Sequence, residues 1–346
     1  MGPFGKIGET LAIHSFGIHA QPMSRQRTTI FIAAAASIAS MATGATAAVG
    51  STGQADSKPS HCGVLFDDFG YKSATDPDLA AHGWNARSEV GGPGVPGAAW
   101  PASNVSFVQQ GGQNVAQLQA TTNGTPAGTT HAELRRTTMN LRNGTYATRV
   151  RYADKPAAGP DGDHINETAF AIGPTKFDYD PIYSELDFTE YLPNGGWGET
   201  GPINYQTSWH TFREDPWDAR TAENHQNRSL DGWHTYVTQV GNGHAKYYID
   251  GLLTADHTVD QDGNTILPRQ DMSMNWNLWF IDLDAHQGTA TSEYHEQIDW
   301  AYYAKNETVS PTKAEAAVTK YRAHDTGYQD TLINTGSCEN YQPPQH

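Results

Sequence analysis

The chain has only two cysteines in 346 residues, Cys62 and Cys338. Two thiols leave no metal site of the cysteine type. Basic residues are also scarce. Outside residues 1–48, 19 Lys and Arg face 37 Asp and Glu, a balance of −18; the whole chain carries 22 against 38. So acidic a surface repels phosphate backbones, which makes nucleic acid and anionic membrane poor partners, whereas a neutral polymer is compatible. No serine nucleophile elbow, phosphate-cradling glycine loop or zinc-ligand spacing occurs. Long helical periodicities are few, and there is no internal repeat.

Long apolar runs are missing too, except near the N-terminus. There a short basic stretch from Met23 to Thr29 precedes an apolar, small-residue run from Ile30 to Met41, and small residues follow at Ala45, Ala47 and Ala48. This order suits a secretory signal with cleavage after Ala47 or Ala48; a structural N-terminal helix is the alternative. The run is too short for a comfortable membrane span. Residues 1–48 are therefore expected to be an upstream extension and signal peptide, 49–61 a polar flexible leader, and 62–346 a single domain. In an exported chain, Cys62 and Cys338 are expected to pair and close the ends of that domain; two free buried thiols are the alternative.

What remains is a text of short alternating runs punctuated by Gly, Pro, Asn and Asp, which argues for an all-β sandwich. Val115–Ala120 is one such strand. In Tyr146–Tyr152, Tyr146, Thr148, Val150 and Tyr152 face one way and Ala147, Arg149 and Arg151 the other. Trp233–Val240 and His244–Asp250 form the plainest hairpin, joined by Gly241-Asn242-Gly243, and Asp250-Gly251 turns the chain into Leu252–Ala255. Residues 154–166 and 192–202 are expected to be rim loops. Near the end, Ser310 and Pro311 mark the start of a helix over Lys313–Arg322, laid against the sandwich.

The informative segment is Tyr183-Ser-Glu-Leu-Asp-Phe-Thr-Glu-Tyr191. In a strand, Glu185 and Asp187 share one face and Ser184, Leu186 and Phe188 the other. Glu190 has the wrong parity for the acid face and Tyr191 the wrong parity for the apolar one. One extra residue near Phe188-Thr189, a β-bulge, corrects both. Side-by-side carboxylates repel and add no stability to a strand. Glycoside cleavage needs them: one attacks the anomeric carbon, and a second, kept protonated by its neighbours, protonates the leaving oxygen. An acidic solvent-facing strand or a Ca²⁺ site would use the same residues, and the residues alone leave those readings open.

Glu185-Leu-Asp187-Phe-Thr-Glu190 resembles the bulged E-x-D-x-x-E signature of glycoside hydrolase family 16, in the form found in its laminarinases, agarases and carrageenases. Further segments resemble the family in its order. Phe66–Phe69 is similar to the opening strand, Asn143–Arg149 to an inner strand, and Asp231–Tyr236 with Lys246–Gly251 to a hairpin. Met272–Leu278 is similar to a later, N-L-bearing strand and Ile298–Tyr303 to the final strand. The resemblance implies a curved two-sheet jelly roll, concanavalin-like. It makes Glu185 the nucleophile, Asp187 its electrostatic helper and Glu190 the acid/base. One departure stands out: many members carry a Trp on the neighbouring strand, where this chain reads Ala169-Phe-Ala-Ile-Gly173. Either Phe170 substitutes for it or the sugar platform differs.

Alternation over Met272–Phe280 places Ser273, Asn275, Asn277 and Trp279 on one face and Met274, Trp276, Leu278 and Phe280 on the core face. Asn277 and Trp279 are candidate sugar contacts, with a buried strand amide and core packing as the plainer readings. Trp197, held among glycines, is a third candidate and His210 a fourth; a loop anchor and a structural histidine are the alternatives. No cofactor is expected to be required. A structural Ca²⁺ is placed at Asp299 by the resemblance, and Asp260-Gln-Asp-Gly-Asn264 reads as half a calcium loop lacking its distal Glu. The resulting expectation is a secreted, monomeric, retaining endo-hydrolase whose partner is a β-linked polysaccharide, β-1,3-glucan first. A galactan hydrolase, a transglycosylase and a lectin-like sandwich are the competing readings.

Overall fold

The computed structural model describes residues 62–338; the expected signal segment and leader lie outside them. Two large antiparallel sheets face each other. The nine-stranded sheet contains β1 (Val64–Asp67), β3 (Val105–Gln110), β4 (Gln113–Thr122), β6 (Gly144–Tyr152), β13 (Gly232–Gly241), β14 (His244–Ile249), β15 (Leu252–His257), β17 (Ser292–Lys305) and β18 (Tyr328–Asp330). The seven-stranded sheet contains β2 (Trp84–Ala86), β5 (Ala132–Arg136), β7 (Ile165–Ile172), β8 (Glu185–Leu192), β11 (Ile203–Arg213), β12 (Asp218–Gln226) and β16 (Ser273–Phe280). Its spatial order is β12-β11-β8-β7-β16-β5-β2, so the acid-bearing β8 lies well inside the sheet. A two-residue ladder, β9 (Gly195–Gly196) with β10 (Glu199–Thr200), folds part of the expected 192–202 loop into a small hairpin. A short helix α1 (Pro77–Ala81) and a longer α2 (Pro311–Ala323) complete the described residues, in which no helix is long and apolar enough to cross a membrane.

The alternation read from sequence decides the core. Tyr146, Val150 and Tyr152 of β6 meet Leu186, Phe188 and Tyr191 of β8 and Met274, Trp276, Leu278 and Phe280 of β16 in one buried cluster between the sheets. Each such side chain contributes about 1.5–3 kcal/mol by leaving water. The β13–β14 hairpin closes as expected, with Asn242 and Gly243 both at positive φ (53° and 84°).

The outer face of the nine-stranded sheet is apolar at Phe66, Ala147, Val237, Trp300 and Tyr302, and α2 covers it with Ala314 and Val318. Tyr321 stacks on Phe66 at 4.7 Å. Ser310 stands at the N-cap, but its side chain makes no capping bond; its carbonyl accepts from Lys313 and Ala314 instead. Beyond α2 the chain returns as β18 beside β1, so β17 is not the last strand.

Cys62, just before β1, and Cys338, past β18, are disulfide-bonded across 276 residues with Cα atoms 5.2 Å apart. The strand neighbours β1 and β18 bring them together. In the chain-entropy description a loop this long restricts the unfolded state by about 5 kcal/mol. Reduction is therefore expected to lower Tm by on the order of 10 °C. A calorimetric scan with and without reductant measures this, and superimposable scans would show the bond to be energetically idle.

Candidate active site

The bulge lies where parity demands it. Against β7, Thr189 pairs with Ala169 but Asp187 with Phe170, so Phe188 is the extra residue on β8. Against β11, Glu190 pairs with Tyr205 and Asp187 with Thr207, again one residue too many on β8. Leu186, Phe188 and Tyr191 accordingly enter the core, and Glu185, Asp187 and Glu190 line the opposite face. Asp187 is buried and the two glutamates are half-buried.

Cross-strand register then builds the floor around each acid. Glu190 sits in a row with Thr168 of β7, Asn277 of β16 and Tyr205 of β11. The Asn166 amide donates to Glu190 at 3.4 Å. Asp187 is flanked by Phe170 and Thr207, and Asn275 lies beyond Phe170. Phe170 therefore occupies floor beside the central acid, at the neighbouring-strand position where the expected Trp was absent. Glu185 is flanked by Ile172 and Trp209. The indole Nε1 of Trp209 donates to Asp187 at 2.7 Å, and the Tyr183 hydroxyl donates to Glu185.

Burial raises the pKa of all three carboxyls, since ionising them in a desolvated row is costly. Asp187 is raised well above its ordinary value by burial and then by Glu185, with Trp209 opposing. Glu185, pushed up by burial and by Glu190, is drawn back by donors from Tyr183 and Asp187. Glu190 is raised well above by burial and then by Asp187. Among the three, the donors from Tyr183 and Asp187 favour the anion at Glu185, while burial holds Asp187 and Glu190 towards their protonated forms. Such a face can carry a nucleophile and an acid side by side.

Two aromatic groups flank the row. On the Glu190 side, Trp197 lies 6.0 Å from Trp279 and 6.2 Å from Tyr205, ring centroid to centroid. Trp197 adopts positive φ (53°) in its glycine-rich loop, and its buried indole N–H has no partner. The structure thus unites two candidates that sequence spacing could not connect. On the Glu185 side, Tyr183, Trp209 and Phe212 pack together with Trp217 against them. Asn277 is a buried strand amide whose oxygen accepts from Thr168 at 2.5 Å.

His210 is displaced from the acids. Extending the pairing of Tyr205 with Glu190 without a bulge would set His210 opposite Glu185; the bulge shifts the ladder by one and sets Trp209 there. His210 instead bonds the Thr265 carbonyl at 2.9 Å and gives its own carbonyl to Arg269. The Asp299 carboxylate is paired within the protein, receiving Arg149 at 2.7 Å on one oxygen and Arg322 at 2.7 Å on the other. Asp260 spends one oxygen on the N–H groups of Asp262 and Asn264. Among the described residues no group of three or more His, Cys, Asp or Glu is placed to hold a metal ion.

No family model matches the chain, and no curated protein matches it. Solved structures do. One is the Bacteroides ovatus mixed linkage glucan PUL family 16 glycoside hydrolase in complex with a G4G4G3G product, at TM-score 0.50 and 14% identity, covering 68% of this chain and 98% of that one. Another is a family 16 endo-glucanase from Bacteroides ovatus in complex with G4G3G-2F-DNP, at TM-score 0.51, 14% identity and the same coverages of 68% and 98%. The described residues have the β-sandwich jelly-roll fold of glycoside hydrolase family 16 structures.

Proposed function

We propose that this chain is a secreted, monomeric, retaining endo-glycoside hydrolase acting on a neutral β-linked glucan, with β-1,3-glucan the first substrate to test. The observation that carries the reading is the desolvated row of Glu185, Asp187 and Glu190 on a face that the core does not use. Glu185 attacks the anomeric carbon as the bond to the leaving oxygen breaks, and the Glu190 proton passes to that oxygen. Water then enters from the vacated side, gives its proton to Glu190, and its oxygen displaces Glu185 from the sugar. Asp187 stays protonated and steadies Glu185 throughout. The fold shared with glucan-cleaving structures supports the sugar class.

Charge around the acids supports a neutral substrate. Glu223 of β12, opposite Thr207, is itself raised by burial and by Glu199 nearby. A sulfated galactan would bring anions against the carboxylates of Glu185, Glu199 and Glu223, which disfavours that alternative. The flanking Trp197–Trp279 pair is an apolar wall beside Glu190 of the kind that receives pyranose faces, and the Trp197 N–H and Asn166 oxygen near it are buried without a partner.

The test is to digest a panel of β-glucans and galactans and to follow the best substrate by NMR at early times. A β-linked substrate is expected to release the β-anomer first. An α-anomer appearing first would overturn the retaining assignment, and inert glucans beside a cleaved galactan would overturn the substrate class. Transfer products outweighing hydrolysis would make the enzyme a transglycosylase.

A further inference from the structure

Tyr183 stands two residues before Glu185, just ahead of β8, and its hydroxyl reaches the Glu185 carboxylate at Oε2. Its ring is buried at 3% exposure against Phe212, with centroids 5.0 Å apart at 75°. The backbone beneath it is clamped. The buried Arg269 guanidinium donates to the carbonyls of Tyr183 and His210, and to those of Pro181, Thr265 and Leu267 at 2.9 Å each. The Arg269 N–H also donates to Ser184 Oγ at 2.7 Å. One guanidinium therefore ties the Pro181–Ser184 segment to β11 and to the 265–267 loop, fixing the phenol relative to the strand that carries the acids.

Resting on the hydrolase reading above, we infer that Tyr183 is a positioning residue for the nucleophile: its O–H holds Glu185 anionic and aimed, and stays with that carboxyl group through the covalent intermediate. Held at Oε2, Glu185 attacks through Oε1. As the ester forms, Oε2 becomes its carbonyl oxygen and still accepts from Tyr183. When water displaces the sugar, the charge returning to the carboxylate meets the same donor. A buried anion with a fixed donor reacts without waiting for solvent to reorganise.

The groups facing Glu185 limit what else could set its protonation. Asp187 and Glu190 lie on its own strand, β7 offers Ile172 and Phe170, β11 offers Trp209 and Thr207, and β12 adds Glu223 across Thr207. No lysine, arginine or histidine is among them, so Tyr183 and Asp187 are the donors that draw the Glu185 pKa down.

The experiment compares Tyr183→Phe with the unmodified enzyme on the best substrate across pH 4–9. Loss of the donor raises the Glu185 pKa, so the acid limb of kcat/KM is expected to move up by about one unit, on the order of tenfold in proton affinity. kcat is expected to fall roughly 10- to 100-fold with KM within about twofold. Site-specific 3-fluorotyrosine at 183, a stronger donor of nearly the same shape, is expected to move the limb down and keeps the test decisive should the phenylalanine variant misfold. An acid limb unmoved in both variants would reduce Tyr183 to a packing residue. Glu185→Gln in the same assay separates the two readings: activity retained there overturns the hydrolase mechanism itself, whatever Tyr183 does.

Discussion

Glu185→Gln is expected to cut turnover at least about 10³-fold on the best glucan while leaving Tm within a few degrees, because the side chain lies on the face away from the core. The amide keeps the shape and loses the nucleophile. Glu190→Gln is expected to lose as much on substrates with poor leaving groups, since the leaving oxygen then departs without a proton. Chemical rescue distinguishes the two roles. With Glu185→Ala and an activated β-glycoside, added azide is expected to attack the exposed anomeric face and yield the inverted α-glycosyl azide. With Glu190→Ala the azide product is expected to be β, because Glu185 has already inverted the centre once. The same anomer from both variants would remove the assignment, and rates within about tenfold of wild type would remove the two-carboxylate mechanism.

Glu296→Gln is expected to raise Tm by several degrees at pH 9 and to change it little near pH 4.5. Glu296 of β17 and Glu167 of β7 are completely buried between the sheets, and Glu167 adds to the cost of ionising Glu296. Glu167 accepts the Ala153 N–H, whereas neither Glu296 oxygen has a partner of normal hydrogen-bond geometry, and only the Thr168 N–H pulls its pKa down. Burial holds both carboxyls well above the ordinary glutamate value. The folded state therefore binds protons that the unfolded chain releases above about pH 4.5. Stability from these groups is complete below that value and is lost as pH rises towards the folded-state pKa. Glutamine mimics the protonated acid and removes the dependence. Thermal scans from pH 4.5 to 9 read the difference, and parallel Tm curves for the two proteins would show that Glu296 does not titrate with folding.

These two carboxyl sets show what a sequence pattern reaches. Glu185, Asp187 and Glu190 were legible because three acids within six residues violate strand stability, and because one bulge repaired both faces together. Glu167 and Glu296 were not, because each is a single acid in an ordinary alternating strand, 129 residues apart in sequence. Their meeting depends on which sheet packs over which. Asp299 shows the converse: resemblance marked it for a cation, and Arg149 and Arg322, the latter from α2, supply two from the protein.

Residue order by itself determined the alternation that sorts core from outer face, the positive-φ turns, the bulge and the pairing of two lone cysteines. All of these rest on interactions between near neighbours or on elimination. Tertiary structure alone decided that Trp209 rather than His210 stands beside Glu185, that Trp197 meets Trp279, and that Tyr183 is steered onto the nucleophile by Arg269. Each of those depends on register across strands or on a clamp between distant loops. A one-residue shift exchanges one side chain for the next, and only the assembled sheet carries that information.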